Sequence, residues 1–198
     1  MHSGAAQALL QARSPLEAPG VCALAGVEMR ERRDLAKLRL RVKAGGASAF
    51  AEALGQAAGS APPLVPNQVS GDQHLSIGWT APGAWLALGE RVACDALAEA
   101  AGRVAAGAAL VTPVTSGLVA IEVTGPRAAA LLATGCPLDL EGSAVGERGC
   151  ASSLFDQTPI FLQRLPGSSG YTLVVERPLA WSLWAALADN VRMLGGGA

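Results

Sequence analysis

The chain has 198 residues, with 15 lysines and arginines against 16 aspartates and glutamates, 51% hydrophobic residues and only 16% charged ones. That length holds one domain of ordinary size, or two small fused halves, around a real core. The balanced charge excludes an electrostatic nucleic-acid binder, and no apolar run approaches the roughly 18 residues that cross a bilayer as a helix.

A chain this poor in charge has little polar skin. Either a partner covers part of its surface, or alanine and glycine simply fill neutral positions. The start, MHSGAAQALLQARSPLE, has neither the charged n-region nor the apolar h-region of a secretory leader. The expectation is a cytoplasmic protein that meets neither membrane nor nucleic acid. Cys22, Cys94, Cys136 and Cys150 form no CxxC pair, and His2 and His74 are isolated. That spacing suits reduced, buried thiols and no metal site.

Residues 1–20 read as a flexible N-terminal arm, with room for a short helix over 4–12 before Ser14-Pro15. LAKLRLRV, 35–42, alternates apolar and basic residues, the period of a half-buried strand. ASAFAEALGQAAG, 47–59, reads as a helix closed by glycine, and SAPPLVPN, 60–67, as a Pro-rich connector. Strands follow at 74–79 and 84–89 across a Thr80–Gly83 turn, then a helix over 90–107. The order then recurs: a strand at 114–123, a helix from Pro126 to Thr134, strands at 150–155, 159–165 and 171–176, and a helix over 178–194.

WLALGERVACDAL, from Trp85, aligns with YTLVVERPLAWSL, from Tyr171, placing Glu90-Arg91 over Glu176-Arg177. In both, an aromatic opens a strand and Glu-Arg stands at its handover to a helix. The predicted fold is therefore α+β: two ferredoxin-like βαββ(α) halves, 21–110 and 111–198, in a single compact unit.

The stretch most suggestive of chemistry is GLVAIEVTGPRAAALLATGCPLDL, 117–140. A Gly-Pro at a strand-to-helix junction can cradle a phosphate, but Gly125 is a lone glycine and Pro126 removes one N–H. Structural roles account for each residue. Thr124 caps the helix, Pro126 sits in its first turn, Gly135 supplies a left-handed end and Pro137 stops continuation. Cys136 lies at a helix C-terminus, where the dipole opposes a thiolate, and has no local base. No GxGxxG, P-loop or GxSxG elbow occurs. Asp139 and Glu141 read as a solvated turn, as does Asp156. Trp79 and Trp85 pack beside their hairpin turn. Trp181 and Trp184, three apart on the last helix, are the candidates for an assembly face.

The second half resembles the gamma subunits of heterotetrameric sarcosine oxidases. The resemblance rests on Thr124-Gly125-Pro126, on Gly135 to Leu140, on Gly149-Cys150-Ala151, on Arg164 and on Trp184. The first half matches more loosely, through Ser14-Pro15-Leu16, Pro66-Asn67 and Trp85-Leu86. Pro113 and Pro178 depart from the family pattern.

The resemblance implies a fold similar to the folate-binding domain of the aminomethyltransferases, the glycine-cleavage T-proteins. It implies alpha, beta and delta partner subunits in a complex that demethylates sarcosine to glycine. FAD, FMN, NAD and tetrahydrofolate are expected on those partners, with zinc on delta, and none on this chain. No catalytic residue carries over, and a generic adaptor without flavoenzyme partners is the non-enzyme reading. The other reading is a free-standing folate- or pterin-binding protein of the same fold, with Glu122 and Arg164 as ring-holding candidates. Glu122, between Ile121 and Val123, is expected to face solvent or a partner.

Overall fold

The computed structural model describes residues 13–16, 22–43, 45–105, 107, 109–140, 145–165 and 168–196. An N-terminal hairpin comprises β1 (Cys22–Leu24) and β2 (Val27–Glu31). Ala25 and Gly26 turn it with φ values of 55 and 75, both left-handed, as the tightest hairpins require. The first half continues with β3 (Ala36–Val42), α1 (Ala47–Ala58), β4 (Val69–Gly71), β5 (Leu75–Ala81), β6 (Ala84–Gly89), α2 (Arg91–Ala105) and β7 (Ala109–Pro113). The second comprises β8 (Leu118–Thr124), α3 (Ala128–Ala133), β9 (Cys150–Phe155), β10 (Thr158–Arg164), β11 (Tyr171–Glu176), a 3-10 turn (Arg177–Leu179) and α4 (Ala180–Gly195).

The strands form two antiparallel sheets, ordered β4-β5-β6-β3-β7 and β1-β2-β8-β11-β10-β9. Helices cover the outer face of each. Leu38, Leu40, Ile77 and Trp85 meet Phe50 and Leu54 of α1 and Leu97 of α2. Ile121, Val123, Leu162 and Leu173 meet Leu131 of α3 and Leu183, Trp184 and Leu187 of α4. The inner faces meet through Leu86 and Leu88 on one side and Leu118, Ala120, Phe161 and Val174 on the other. The result is four layers, helix–sheet–sheet–helix.

The duplication is visible in the strand orders. β5-β6-β3 with α1 and α2 matches β10-β11-β8 with α3 and α4, and β4 flanks the first set as β9 flanks the second. β7 completes the first half as a βαββαβ unit. In the second half that outer position belongs to β2, from the other end of the chain, which pairs with β8 from Glu28↔Thr124 to Glu31↔Ile121. The α+β, ferredoxin-like expectation holds, but the division into 21–110 and 111–198 does not follow the sheets. Residues 22–31 belong to the second sheet, and the boundary at 110 cuts through β7. An edge strand needs only a complementary edge, so sequence proximity does not choose it.

Other differences are local. The strand predicted over 114–123 begins only at Leu118, because residues 114–117 turn the chain between β7 and β8. Residues 13–16 are not a loose arm. Leu16 is fully buried, the Ser14 hydroxyl donates to both Glu31 carboxylate oxygens (2.6 and 2.7 Å), and Arg33 donates to the Leu16 carbonyl (3.1 Å). The helix expected over 4–12 lies outside the described residues. Pro178 falls in the 3-10 turn before α4, where its missing N–H is harmless.

Candidate functional site

At the strand–helix junction, Gly125 has φ 108, and a Cβ there would lie 2.4 Å from the Gly26 carbonyl oxygen. The glycine is required by the close approach of the β1–β2 turn, not by a ligand. Residue 127 caps α3 without a side-chain hydrogen bond, so Thr124 is not the cap. Pro126 is exposed in the turn before the helix, and Pro137 is exposed after it. Gly135 is not left-handed; a Cβ there would meet the Phe155 ring at 3.0 Å and the Asp156 carboxylate at 2.8 Å. Asp156 itself sits at φ 51 in the β9–β10 turn. The Cys136 thiol is buried in the core, 3.6 Å from the Ser153 hydroxyl. A serine hydroxyl is not a base that would activate the thiol.

Trp181 and Trp184 do not share one exposed face. Trp184 is buried against the second sheet, while Trp181 is 58% exposed. A separation of three residues turns a helix by about 300°, enough to divide the core edge from solvent. Trp85 stacks on Phe50 with centroids 5.9 Å apart and donates its Nε1–H to the Pro63 carbonyl at 2.7 Å. Trp79 is its cross-strand neighbour. The paired acids stay apart in function: Glu90 holds His74 Nδ1 at 2.7 Å, whereas Glu176 bridges the sheets to Arg39 at 2.7 Å.

The polar concentration lies elsewhere, on the inner face of the second sheet. Strand register places Arg30 opposite Glu122, Glu122 opposite Thr172, Thr172 opposite Gln163, and Gln163 opposite Cys150. Glu122, Thr172 and Gln163 are all buried. Glu122 Oε2 accepts from Arg30 Nε at 3.0 Å and from an Arg32 terminal nitrogen at 2.7 Å. Arg32 also grips Asp34; its hydrogen bonds hold the Asp34 carboxyl below the usual carboxylate range. Beside this row opens a cleft of about 600 Å³, where Gln163 and Thr172 face Ser76 and Leu88 of the first sheet, with His74 and Arg148 also lining it. The Cys150 thiol closes the row. Burial pushes its pKa up to about 11, and it donates toward the Gln68 and Trp79 carbonyls at 3.2 and 3.3 Å.

Glu122 was expected to point to solvent or a partner. Its alternation with Ile121 and Val123 does turn it to the opposite face of β8. That face is covered as well, so β8 is buried on both sides. Its Oε2 is shared by the Arg30 and Arg32 guanidinium groups, so the charge that a pterin ring would use is already paired within the chain. Arg164 lies over the Tyr171 ring at 5.7 Å, at the end of β10, two strands from Glu122 on β8. The two pterin candidates therefore do not form one site. Among the described residues, no three His, Cys, Asp or Glu side chains gather as metal ligands, and no helix is long and apolar enough to cross a membrane.

A sequence-family model, the sarcosine oxidase gamma subunit family, matches residues 43–192, most of the chain. The chain belongs to the sarcosine oxidase gamma subunit family. Among solved structures, it is similar to a chain of the heterotetrameric sarcosine oxidase from Corynebacterium sp. U-96 in complex with pyrrole 2-carboxylate. That match has a TM-score of 0.79 at 22% identity and covers 94% of this chain and 97% of that one. It is also similar to the glycine cleavage system aminomethyltransferase T from Bartonella henselae, with a TM-score of 0.63 at 15% identity, covering 92% of this chain and 58% of that one. At these identities the likeness is one of fold. No curated protein matches the chain by sequence.

Membership in the gamma subunit family also directs attention to the residues that carried the resemblance, several of which meet in space. The Asn67 carbonyl accepts the Cys150 N–H at 2.9 Å, and the Gly149 carbonyl accepts the Arg164 N–H at 3.0 Å. Gln68 and Gly149 form an isolated bridge between the sheets. Pro66-Asn67, Gly149-Cys150 and Arg164 thus weld the two halves at one corner. The inward polar row was the missed feature. Its signal was legible as Glu122, Gln163 and Thr172 interrupting otherwise apolar strands.

Proposed function

We propose that this chain is a non-catalytic, structural gamma subunit of a heterotetrameric sarcosine-oxidase-like flavoenzyme, assembled with alpha, beta and delta subunits in the cytoplasm. The complex demethylates sarcosine oxidatively to glycine, linked to tetrahydrofolate. FAD, FMN, NAD and tetrahydrofolate reside on the partners, with zinc on delta. The observation that carries this reading is the family match over residues 43–192. The low charge content and the exposed Leu179 and Trp181 support a chain with surface to be covered.

Co-expression with the flavin-bearing subunits tests it. The tagged chain is expected to co-elute with them as one stoichiometric complex. If it purifies as a stable monomer and the remaining subunits oxidise sarcosine at full rate without it, the structural role is lost. Substituting Cys136 by serine is expected to leave the sarcosine turnover of the assembled complex within about twofold; a larger loss with assembly intact would return catalysis to this chain.

A further inference from the structure

The inter-sheet cleft makes two unlike chemical demands. At its inner wall, Gln163 is 4% exposed. Its Nε2 donates to the Ser76 hydroxyl at 2.9 Å, and that hydroxyl donates onward to the Leu88 carbonyl at 3.2 Å. This chain of donors fixes the amide orientation and leaves Gln163 Oε1 buried without a donor among the described residues. A buried acceptor left unmade is destabilising, and an apolar residue of the same shape would avoid the loss. An amide kept at such a position points to a donor supplied from outside the chain.

The other demand comes from Arg148. Among the described residues, its side-chain partner is the Gly71 carbonyl at 2.9 Å, so most of its five-donor fork is uncommitted. The other charged groups of the cleft are engaged. Arg32 is held by Asp34 and Glu122, His74 by Glu90, and Asp72 accepts the backbone N–H groups of His74 and Leu75. What remains is an inner acceptor and an outer cation. The volume of about 600 Å³ lies in the range of small-molecule sites.

We propose that this cleft binds a small carboxylate that also carries an N–H donor, with the N–H on Gln163 Oε1 and the carboxylate on Arg148. N-acyl amino acids are the simplest members of that class. The site is separate from the assembly role proposed above, because Gln163 lies between the sheets.

The test uses the full-length chain, free and in its purified complex. It is titrated with N-acetylglycine, which has both groups, with acetate, which has only the carboxylate, and with N-methylacetamide, which has only the N–H. Saturation-transfer NMR reads binding, and thermal unfolding reads stability. N-acetylglycine is expected to bind at least tenfold more tightly than either fragment. Gln163→Leu and Arg148→Gln are each expected to weaken it at least tenfold, while Gln163→Leu leaves the Tm unchanged or higher. The proposal is overturned if N-acetylglycine binds no better than acetate. It is equally overturned if Gln163→Leu lowers the Tm and leaves affinity untouched, which would make Gln163 a strut between sheets. Binding to the free chain but not to the complex would show a partner segment filling the cleft and would also refute it.

Discussion

Gly125 connects a backbone angle with a packing distance. Its φ of 108 and the 2.4 Å approach of the Gly26 carbonyl both forbid a side chain. Gly125→Ala is expected to destabilise the chain by about 2–3 kcal/mol, as strained backbone positions do, read as a lower urea midpoint at constant slope. An unchanged midpoint would mean that the hairpin can retreat freely. His74 offers a pH readout. Its hydrogen bond to Glu90 raises its pKa above the ordinary 6.5, and the Asp72 charge adds to this. A raised folded-state pKa gives stabilisation that is fully present below about 6.5 and is lost as pH rises through the folded value. NMR titration of the His74 ring should therefore give a midpoint above 6.5 that falls back in Glu90→Gln. A midpoint indifferent to Glu90 would contradict the pairing. The sequence showed neither partner, because sixteen residues separate them and only the β5–β6 hairpin closes that gap.

At the scale of elements, α4 separates its two tryptophans. Trp184 packs with Leu183, Leu187 and Val191, while Trp181 stands in solvent near the exposed Leu179. Trp184→Ala is expected to cost about 3–5 kcal/mol of stability, as large-to-small core substitutions do. Trp181→Ala is expected to change stability by less than about 0.5 kcal/mol, as exposed sites do. If Trp181 is an anchor in the complex, its substitution weakens co-elution with the partner subunits without lowering the Tm. Full assembly of Trp181→Ala would remove this residue from the interface. The helix itself was readable from its 3.6-residue period. The exposure of each tryptophan was not, because a broad apolar stripe has edges whose burial depends on the curvature of the sheet beneath.

For the molecule as a whole, the sheets pack inner face to inner face, and the fit is close. A Cβ on Gly78 of β5 would lie 2.6 Å from the Phe161 ring of β10. The N-terminal segment belongs to this architecture. Leu16 enters the core beneath the second sheet, and β2 fills the position that β7 fills in the first. Leu16→Ala is expected to cost about 2–4 kcal/mol, measured by denaturant unfolding, because the site is fully enclosed. A loss below about 0.5 kcal/mol would place residue 16 outside the cooperative core. The charges obey the same layering: Arg39 of the first sheet meets Glu176 of the second.

The sequence by itself determined the class of fold, the duplicated order of strand and helix, the burial of the Cys94, Cys136 and Cys150 thiols, though not of Cys22, which is only partly buried, and the family. These rest on short-range periodicity, on turn residues and on motif residues such as Gly135 to Leu140. Only the tertiary structure decided that β2 joins the far sheet, that Leu16 is buried, and that Glu122, Thr172 and Gln163 line up across three strands beside a cleft. Strand neighbours and covered faces are chosen by long-range edge and face complementarity, and alternation along one strand does not report what lies above it.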